Sequence, residues 1–241
     1  MKKIGILLYQ PYKWLIYMPL MIVITLIAAS LAVIFSVLVN QRVGSLIGGS
    51  YWSRFVGFIT PMFVNVSGRE NVDKKQSYII ISNHQSAYDI FLLYGWLGVD
   101  FRWIMKKELR KIFAVGYACE KVGHIFIDRS SPKAAFKSLE EAKYKLVNGT
   151  SVVIFPEGTR TGSNKMRSFK RGAFKMAYDL DLPILPVSIV DTHKVFGKGF
   201  FNLKPGKVKL KIHRPIPISE YKDKENELME LVLDTIAKGI K

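Results

Sequence analysis

Cysteine is nearly absent: Cys119 is the single one in 241 residues. No intrachain disulfide can form, which excludes a disulfide-stapled secreted scaffold. Acidic residues are scarce, 19 against 36 Lys and Arg, for a formal charge of +17. That excess asks for an anionic partner: nucleic acid, an acidic protein, a phosphorylated substrate or an anionic membrane. The first 50 residues hold no acid at all, only Lys2, Lys3, Lys13 and Arg42. The chain has no internal repeat and no low-complexity tract. With 49% apolar residues it is not a disordered polycation. His84, His124, His193 and His213 lack metal-ligand spacing, so neither a metal nor a cofactor is expected. No G-x-S-x-G elbow is present, so a serine acyl-enzyme is not expected either.

Charge is also missing between Lys13 and Arg42, where Trp14 to Val39 is a run of 26 mostly apolar residues. As a helix this run measures about 39 Å, longer than the roughly 30 Å hydrocarbon core of a bilayer. It exceeds the apolar region of about 7–15 residues in a cleaved signal peptide. A weaker apolar and aromatic segment follows over Val43 to Val64, interrupted by Gly44, Gly48, Gly49 and Arg54. Cytoplasmic flanks collect Lys and Arg, and both the tail before the run and the domain after it are basic. A single span would part them, whereas two helices in one leaflet, or a hairpin, keep both on the cytoplasmic side. The paired-helix anchor is the favoured reading, and a buried core helix is the bland one. Residues 1–65 are therefore read as a two-helix membrane anchor and 66–241 as the soluble domain. Trp14, Tyr17, Tyr51 and Trp52 are read as interfacial anchors.

The remainder alternates between the two periodicities. Strands are expected at Ser77–Ser82, His124–Ile127, Ser151–Phe155 and Ile184–Val190, where Pro186 hints at an edge. Lys207–His213 alternates Lys outward with Val208, Leu210 and Ile212 inward, as an edge or half-exposed strand does. Helices are expected over Ser86–Trp96, from Lys106 toward Cys119, after Ser131-Pro132 with a stop at Asn148-Gly149, over Arg171–Leu180 and over Ser219–Lys241. The fold class is α/β: a mixed, largely parallel sheet flanked by helices, an αβ sandwich preceded by the anchor.

Three strand ends carry chemistry. Asn83-His84 leads to Asp89 five residues on. The carboxylate of Asp89 can fix the tautomer of His84, leaving the other ring nitrogen to accept a hydroxyl proton. Taken alone, a helix-capping histidine with a dipole-favoured aspartate is the commoner explanation of such a pair. Gly123 and Phe126-Ile127-Asp128-Arg129 end a second strand, and alone this reads as a surface ion pair. Phe155-Pro156-Glu157-Gly158-Thr159-Arg160 is a sharp turn whose arginine fork suits phosphate. From Arg160 to Lys175 six cations stand with no acid, and Arg102 to Lys111 adds five against Glu108. Ligands collect outside the carboxyl ends of strands in open α/β sheets, so the three ends can converge.

These segments resemble the glycerolipid acyltransferases of the lysophosphatidate (1-acyl-glycerol-3-phosphate) kind. Four ordered motifs match: Asn83 with His84 through Asp89; Gly123 with Phe126 through Arg129; Phe155 through Arg160; and Leu185-Pro186-Val187. Lys106, with Glu108-Leu109, matches a lysine segment between the first two. Any one motif is weak, but four in order over Ser77 to Val190 are specific. The N-terminal apolar pair also looks like the membrane-anchoring element of bacterial members. The C-terminal strand and helix carry no motif.

The resemblance implies transfer of an acyl group from a thioester to the sn-2 hydroxyl of 1-acyl-glycerol-3-phosphate, making phosphatidate. His84 and Asp89 would be catalytic, and Arg160, Arg129 and Lys106 would hold the phosphate. Glu157, Gly158 and Thr159 would form a substrate or oxyanion loop, and Asn83, Gly123, Phe126, Asp128 and Pro186 would be structural. The expected partners are lysophosphatidate, an acyl-carrier-protein or coenzyme A donor, and an anionic bilayer at the cytoplasmic face of the inner membrane. Related acceptors, such as glycerol-3-phosphate or another lysolipid, remain open. A membrane-attached nucleic-acid-binding protein is the rival from another class. It would need aromatics interleaved with a basic groove, whereas the cations here gather at strand ends, so no nucleic acid is expected.

Overall fold

A computed structural model describes residues 9–128, 130–131, 146, 149–197 and 202–241. Arg129 and the helix expected after Pro132 lie outside the described residues.

Seven strands form one sheet in the order β1-β7-β6-β2-β5-β3-β4. They are β1 (Met62–Ser67), β2 (Ile79–Ser82), β3 (Phe101–Lys106), β4 (Ile125–Ile127), β5 (Ser151–Ile154), β6 (Ile184–Val190) and β7 (Gly206–Ile212). Only the β6–β7 pair is antiparallel, so the sheet is mixed and largely parallel. The central strand β2 is isoleucine-rich and wholly buried, as a parallel strand covered on both faces must be. Its side chains alternate between two cores. Ile80 belongs to the core that holds Tyr17, Val56, Tyr88 and Phe91, and Ile79 and Ile81 to the one that holds Phe174, Val232 and Ile236. Helices cover both faces: α3 (Tyr88–Trp96) and α4 (Val115–Lys121) follow strands β2 and β3, and α5 (Gly172–Leu180) follows β5. A short α6 (Thr192–Val195) follows β6, and α7 (Glu225–Ile240) closes the chain.

Where a two-helix element was expected, the N-terminal region holds one long helix and a broken, shorter second one. A single helix, α1 (Tyr9–Leu38), is long and apolar enough to cross a membrane among the described residues. The second segment, residues 41–59, is a composite α2: Gln41–Ser45, a π-helical Leu46–Tyr51 and Trp52–Ile59. Glycine explains the break and the close fit. A Cβ on Gly48 would stand 2.3 Å from the Ala32 methyl, so this helix lies against α1. Its other side buries Ser53, Val56 and Ile59 in the domain. Asn40 starts it, its side-chain oxygen accepting from Val43 N at 3.0 Å.

The two faces of α1 differ. Ala29 and Ala32 pack on Ala118 and Val122 of α4, while Ile22, Val23, Leu26, Ile27, Ile34 and Val37 are exposed. Of the four proposed interfacial aromatics, Trp14 and Tyr51 are exposed. Tyr17 and Trp52 turn inward instead. The Tyr17 hydroxyl meets Tyr88 at 2.6 Å, and Trp52 donates to Thr25 at 3.1 Å and packs on Phe91.

Other boundaries sharpen as well. β6 lies inside the sheet, so Pro186 is not at an edge. Its missing N–H falls where the β7 ladder ends: pairing begins at Val187↔Ile212, and Pro186 O still accepts from His213 N at 3.0 Å. β7 is half-exposed as expected, yet it is interior, with β1 outside it. β1 begins at Met62, inside the segment read as anchor. The helix expected from Lys106 divides into a 3-10 turn (Lys107–Lys111) and α4, with 112–114 turned outward between them.

Candidate active site

Strand β2 ends at Ser82, and the chain crosses the top of the sheet before α3 begins at Tyr88. Asn83 holds this crossing to the neighbouring strand: its side chain donates to Ile189 O at 2.9 Å and accepts from Ile189 N at 2.8 Å. Asp89 then sits in the first turn of α3, fully buried. One carboxylate oxygen accepts from Gln85 N at 2.6 Å, Ser86 N at 3.0 Å and the His84 ring at 2.7 Å. The other accepts a short hydrogen bond from the Thr192 hydroxyl. An ionised Asp89 can only accept, so His84 Nδ1 carries the proton and Nε2 is the basic nitrogen. The imidazole also stacks on Phe155, ring centroids 4.0 Å apart and planes 10° from parallel. It is thus held in one orientation from two sides.

Glu157 does not face a substrate with its carboxylate. It is buried, accepting from His84 N at 2.8 Å and from Arg167 N at 2.7 Å. Burial raises its pKa above the usual carboxylate value, against the pull of those two N–H groups. The side chain ties the loop after β5 to the loop after β2. Two backbone bonds reinforce the tie, Thr161 N to His84 O at 2.9 Å and Gly162 N to Gln85 O at 3.1 Å. Gly158 has φ +74°, and its N–H closes a turn on Phe155 O at 3.1 Å. Thr159 and Arg160 are exposed beyond it.

His84 opens on a cleft of about 360 Å³. Ile90, Trp103, Met105, Leu109 and Phe155 give it an apolar wall, and Lys106, Gly158 and Arg160 also line it. The structure therefore brings His84, Asp89, Lys106, Gly158 and Arg160 to one place. Asp128 stands at the neighbouring strand end, paired with Lys107 at 3.1 Å and accepting from Ser130 N at 2.9 Å. Its hydrogen bonds to Ser130 and Lys107 lower its pKa to about 2. Phe126 lies under the Arg110 guanidinium, 5.0 Å from ring to cation. Gly123 is not at the site: it precedes β4 at the far end of the sheet, with φ +91° beneath Gln41.

Three residues escape a sequence reading. Gln85 donates to Ile189 O at 2.9 Å and to Asn164 at 2.7 Å, and its own carbonyl receives His193 Nδ1 at 3.1 Å. Thr192 reaches Asp89 from 103 residues away. Phe155, seen only as part of a motif, is the stacking partner of the histidine. His193 is accordingly part of this network.

A family model described as acyltransferase matches residues 63–190. A 1-acyl-sn-glycerol-3-phosphate acyltransferase of Limnanthes alba is 30% identical over 199 residues, 82% of this chain and 68% of its own length. One from Borreliella burgdorferi is 34% identical over 178 residues, 73% of this chain and 70% of that protein. The crystal structure of the 1-acyl-sn-glycerophosphate acyltransferase PlsC from Thermotoga maritima superposes with a TM-score of 0.81 at 31% identity. That match covers 99% of this chain and 96% of the other. With its histidine–aspartate pair at the end of β2 and these relatives, the chain belongs to the acyltransferase family.

Proposed function

We propose that this chain transfers a fatty acyl group from a thioester to the sn-2 hydroxyl of 1-acyl-glycerol-3-phosphate, forming phosphatidate. The observation that carries this reading is the oriented His84–Asp89 pair opening on a cleft lined by Lys106 and Arg160. An alkyl hydroxyl is a poor nucleophile and is not ionised by an imidazole beforehand. His84 Nε2 takes its proton as the oxygen attacks the thioester carbonyl, a contribution of about 10²–10⁴-fold. Asp89 holds the ring and stabilises the imidazolium. The tetrahedral intermediate then collapses, the thiolate leaves, and the proton passes from His84 to it. No covalent acyl-enzyme forms.

Arg160 and Lys106 grip the acceptor phosphate, together with Arg129, and so place the hydroxyl beside His84. The oxyanion donors are assigned to backbone N–H groups of the Glu157-Gly158-Thr159 turn. Gly158 N–H already bonds Phe155 O, which narrows that source to its neighbours.

The anchor is assigned to residues 1–65 and the catalytic domain to 66–241, the two meeting within β1. The apolar outer face of α1 lies in the cytoplasmic leaflet of the inner membrane, where the lysolipid acceptor resides. The donor is acyl-carrier protein or acyl-coenzyme A, each anionic and matched to the +17 charge. The acyl chain is proposed to run from His84 toward α1 and α2. An apolar cavity of about 80 Å³ lined by Ala32, Gly48 and Cys119 lies beneath these helices. Unchanged chain-length preference after filling it through Ala32 or Gly48 would count against that path. The deciding assay supplies lysophosphatidate with each donor and reads lipid mass: phosphatidate is expected, and its absence with both donors overturns the reading.

A further inference from the structure

Between the 3-10 turn Lys107–Lys111 and α4 the chain makes a small, tight projection that the chemistry above leaves unused. Phe113 is 89% exposed, more than any other large apolar side chain among the described residues, and Ile112 beside it is 49% exposed. A water-soluble surface rarely holds such a pair at a tip.

The projection is built by the backbone. Ala114 has φ 57° and ψ −50°, a conformation disfavoured for alanine, and Val115 N closes on Phe113 O at 2.6 Å. This is a γ-turn of the strained hand. Gly116 N bonds Ile112 O at 2.8 Å, and a Cβ on Gly116 would collide with Arg110 O at 2.2 Å. The turn therefore holds Phe113 outward.

Its surroundings name the partner. Leu109, one turn earlier, lines the His84 cleft and is itself exposed, as is Ile90 across the mouth. On the other side α4 carries the exposed Tyr117 and packs through Ala118 and Val122 on Ala29 and Ala32 of α1. Tyr117 thus stands between the apolar outer face of α1 and the rim of the cleft, beside the Arg110–Glu120 pair. Cations flank this path: Lys106 and Lys111 beside Glu108, with Lys107 paired to Asp128 and Arg110 to Glu120. An apolar tip collared by cations fits an anionic lipid surface, with the rings in the acyl region and the amines at the phosphates.

We propose that Ile112 and Phe113 form a membrane-inserting tip, separate from α1, that holds the cleft mouth against the bilayer so that lysolipid enters from the leaflet. The inference rests on the acyl-transfer reading and adds to it the port by which the acceptor arrives.

The test uses the full chain in vesicles of phosphatidylcholine with phosphatidylglycerol. An environment-sensitive fluorophore is attached at Phe113→Cys, with Cys119→Ala to leave one thiol, and a control label is placed at Lys222→Cys. Blue-shifted emission and quenching by acyl-chain nitroxides are expected at position 113 and not at 222. Equal, water-like emission at both sites overturns the proposal. In parallel, the Ile112→Ser/Phe113→Ser double variant is assayed on two acceptors. With vesicle-borne lysophosphatidate its apparent KM should rise at least about 10-fold. With a short-chain, monomeric lysophosphatidate it should match the unsubstituted chain. An unchanged KM on vesicles overturns the proposal alone. Failure of the unsubstituted chain on the monomeric acceptor overturns the acyl-transfer reading instead.

Discussion

Two histidines of this chain stand on the same sheet in similar half-buried settings, and their partners set them apart. His84, at the end of β2, bonds a buried carboxylate that is itself held by two backbone N–H groups and a hydroxyl. His213, just past β7, bonds the Ser188 hydroxyl at 2.8 Å, and that hydroxyl donates to Ile236 O at 2.8 Å. Among the described residues no carboxylate offsets a proton on His213. Burial, and secondly the nearby Lys211, push its pKa down to about 4. One imidazole is thus oriented by a fixed carboxylate, the arrangement that the proposed general base requires. The other is kept neutral and serves as a strut between β6, β7 and α7. Burial alone does not make a histidine a base; a fixed carboxylate behind it does.

The comparison can be broken from either side. The largest effect is expected at His84→Ala, which should lower kcat by about 10²–10⁴-fold. The thermal midpoint should stay near that of the unsubstituted chain, and near-normal kcat would sink the general-base role. Arg160→Ala comes next. Losing a charged contact to phosphate is worth roughly 1.5–3 kcal/mol, so KM for the acceptor should rise about 10–100-fold. If kcat alone falls, the guanidinium acts on the transition state instead.

Glu157→Gln tests whether a carboxylate outside the cleft lining shapes His84. The amide can accept at one of the two N–H groups, leaving the other buried donor short of a partner at about 1–3 kcal/mol. A lower melting temperature is expected, with kcat down on the order of 10-fold and KM little changed. A melting change without any kcat change would reduce Glu157 to a fold residue. His213→Asn should have the smallest effect and none on kcat. In the folded chain His213 titrates near 4, below its ordinary value of 6.5. Between those values the unfolded chain binds the extra proton, so stability falls as pH drops from 6.5 to 4. The variant should show a flatter melting temperature between pH 7 and pH 5, and an identical slope would remove His213 from that account.

The strands and the dyad were legible because they are local. β2 and β7 announce themselves by composition and alternation, and His84 and Asp89 are five residues apart on one strand-to-helix turn. Glu157 was legible as a motif member but not in its action. Its carboxylate turns to His84 N and Arg167 N, a choice made only once the loops after β2 and β5 meet. Pro186 misled for a similar reason: a proline reads as an edge signal, yet the β7 ladder stops at its side. The second N-terminal segment could not be told from the first because hydropathy counts apolar residues and not their neighbours. Val56 and Ile59 are buried in the core, whereas Ile22 and Leu26 are largely exposed.

The hydrogen bonds that shape the His84 loop have a consequence for the chain's history. Asn83 and Gln85 close on Ile189, Asp89 on Thr192, and Ser86 on Phe196 O at 2.7 Å. Each contact spans more than a hundred residues, and closing long loops comes late in folding. During synthesis α1 emerges before residues 189–196, while the histidine still lacks its frame. The site cannot take its final form until the ribosome has passed residue 196, so on the anchor reading proposed above a nascent chain would reach the membrane well before it is competent.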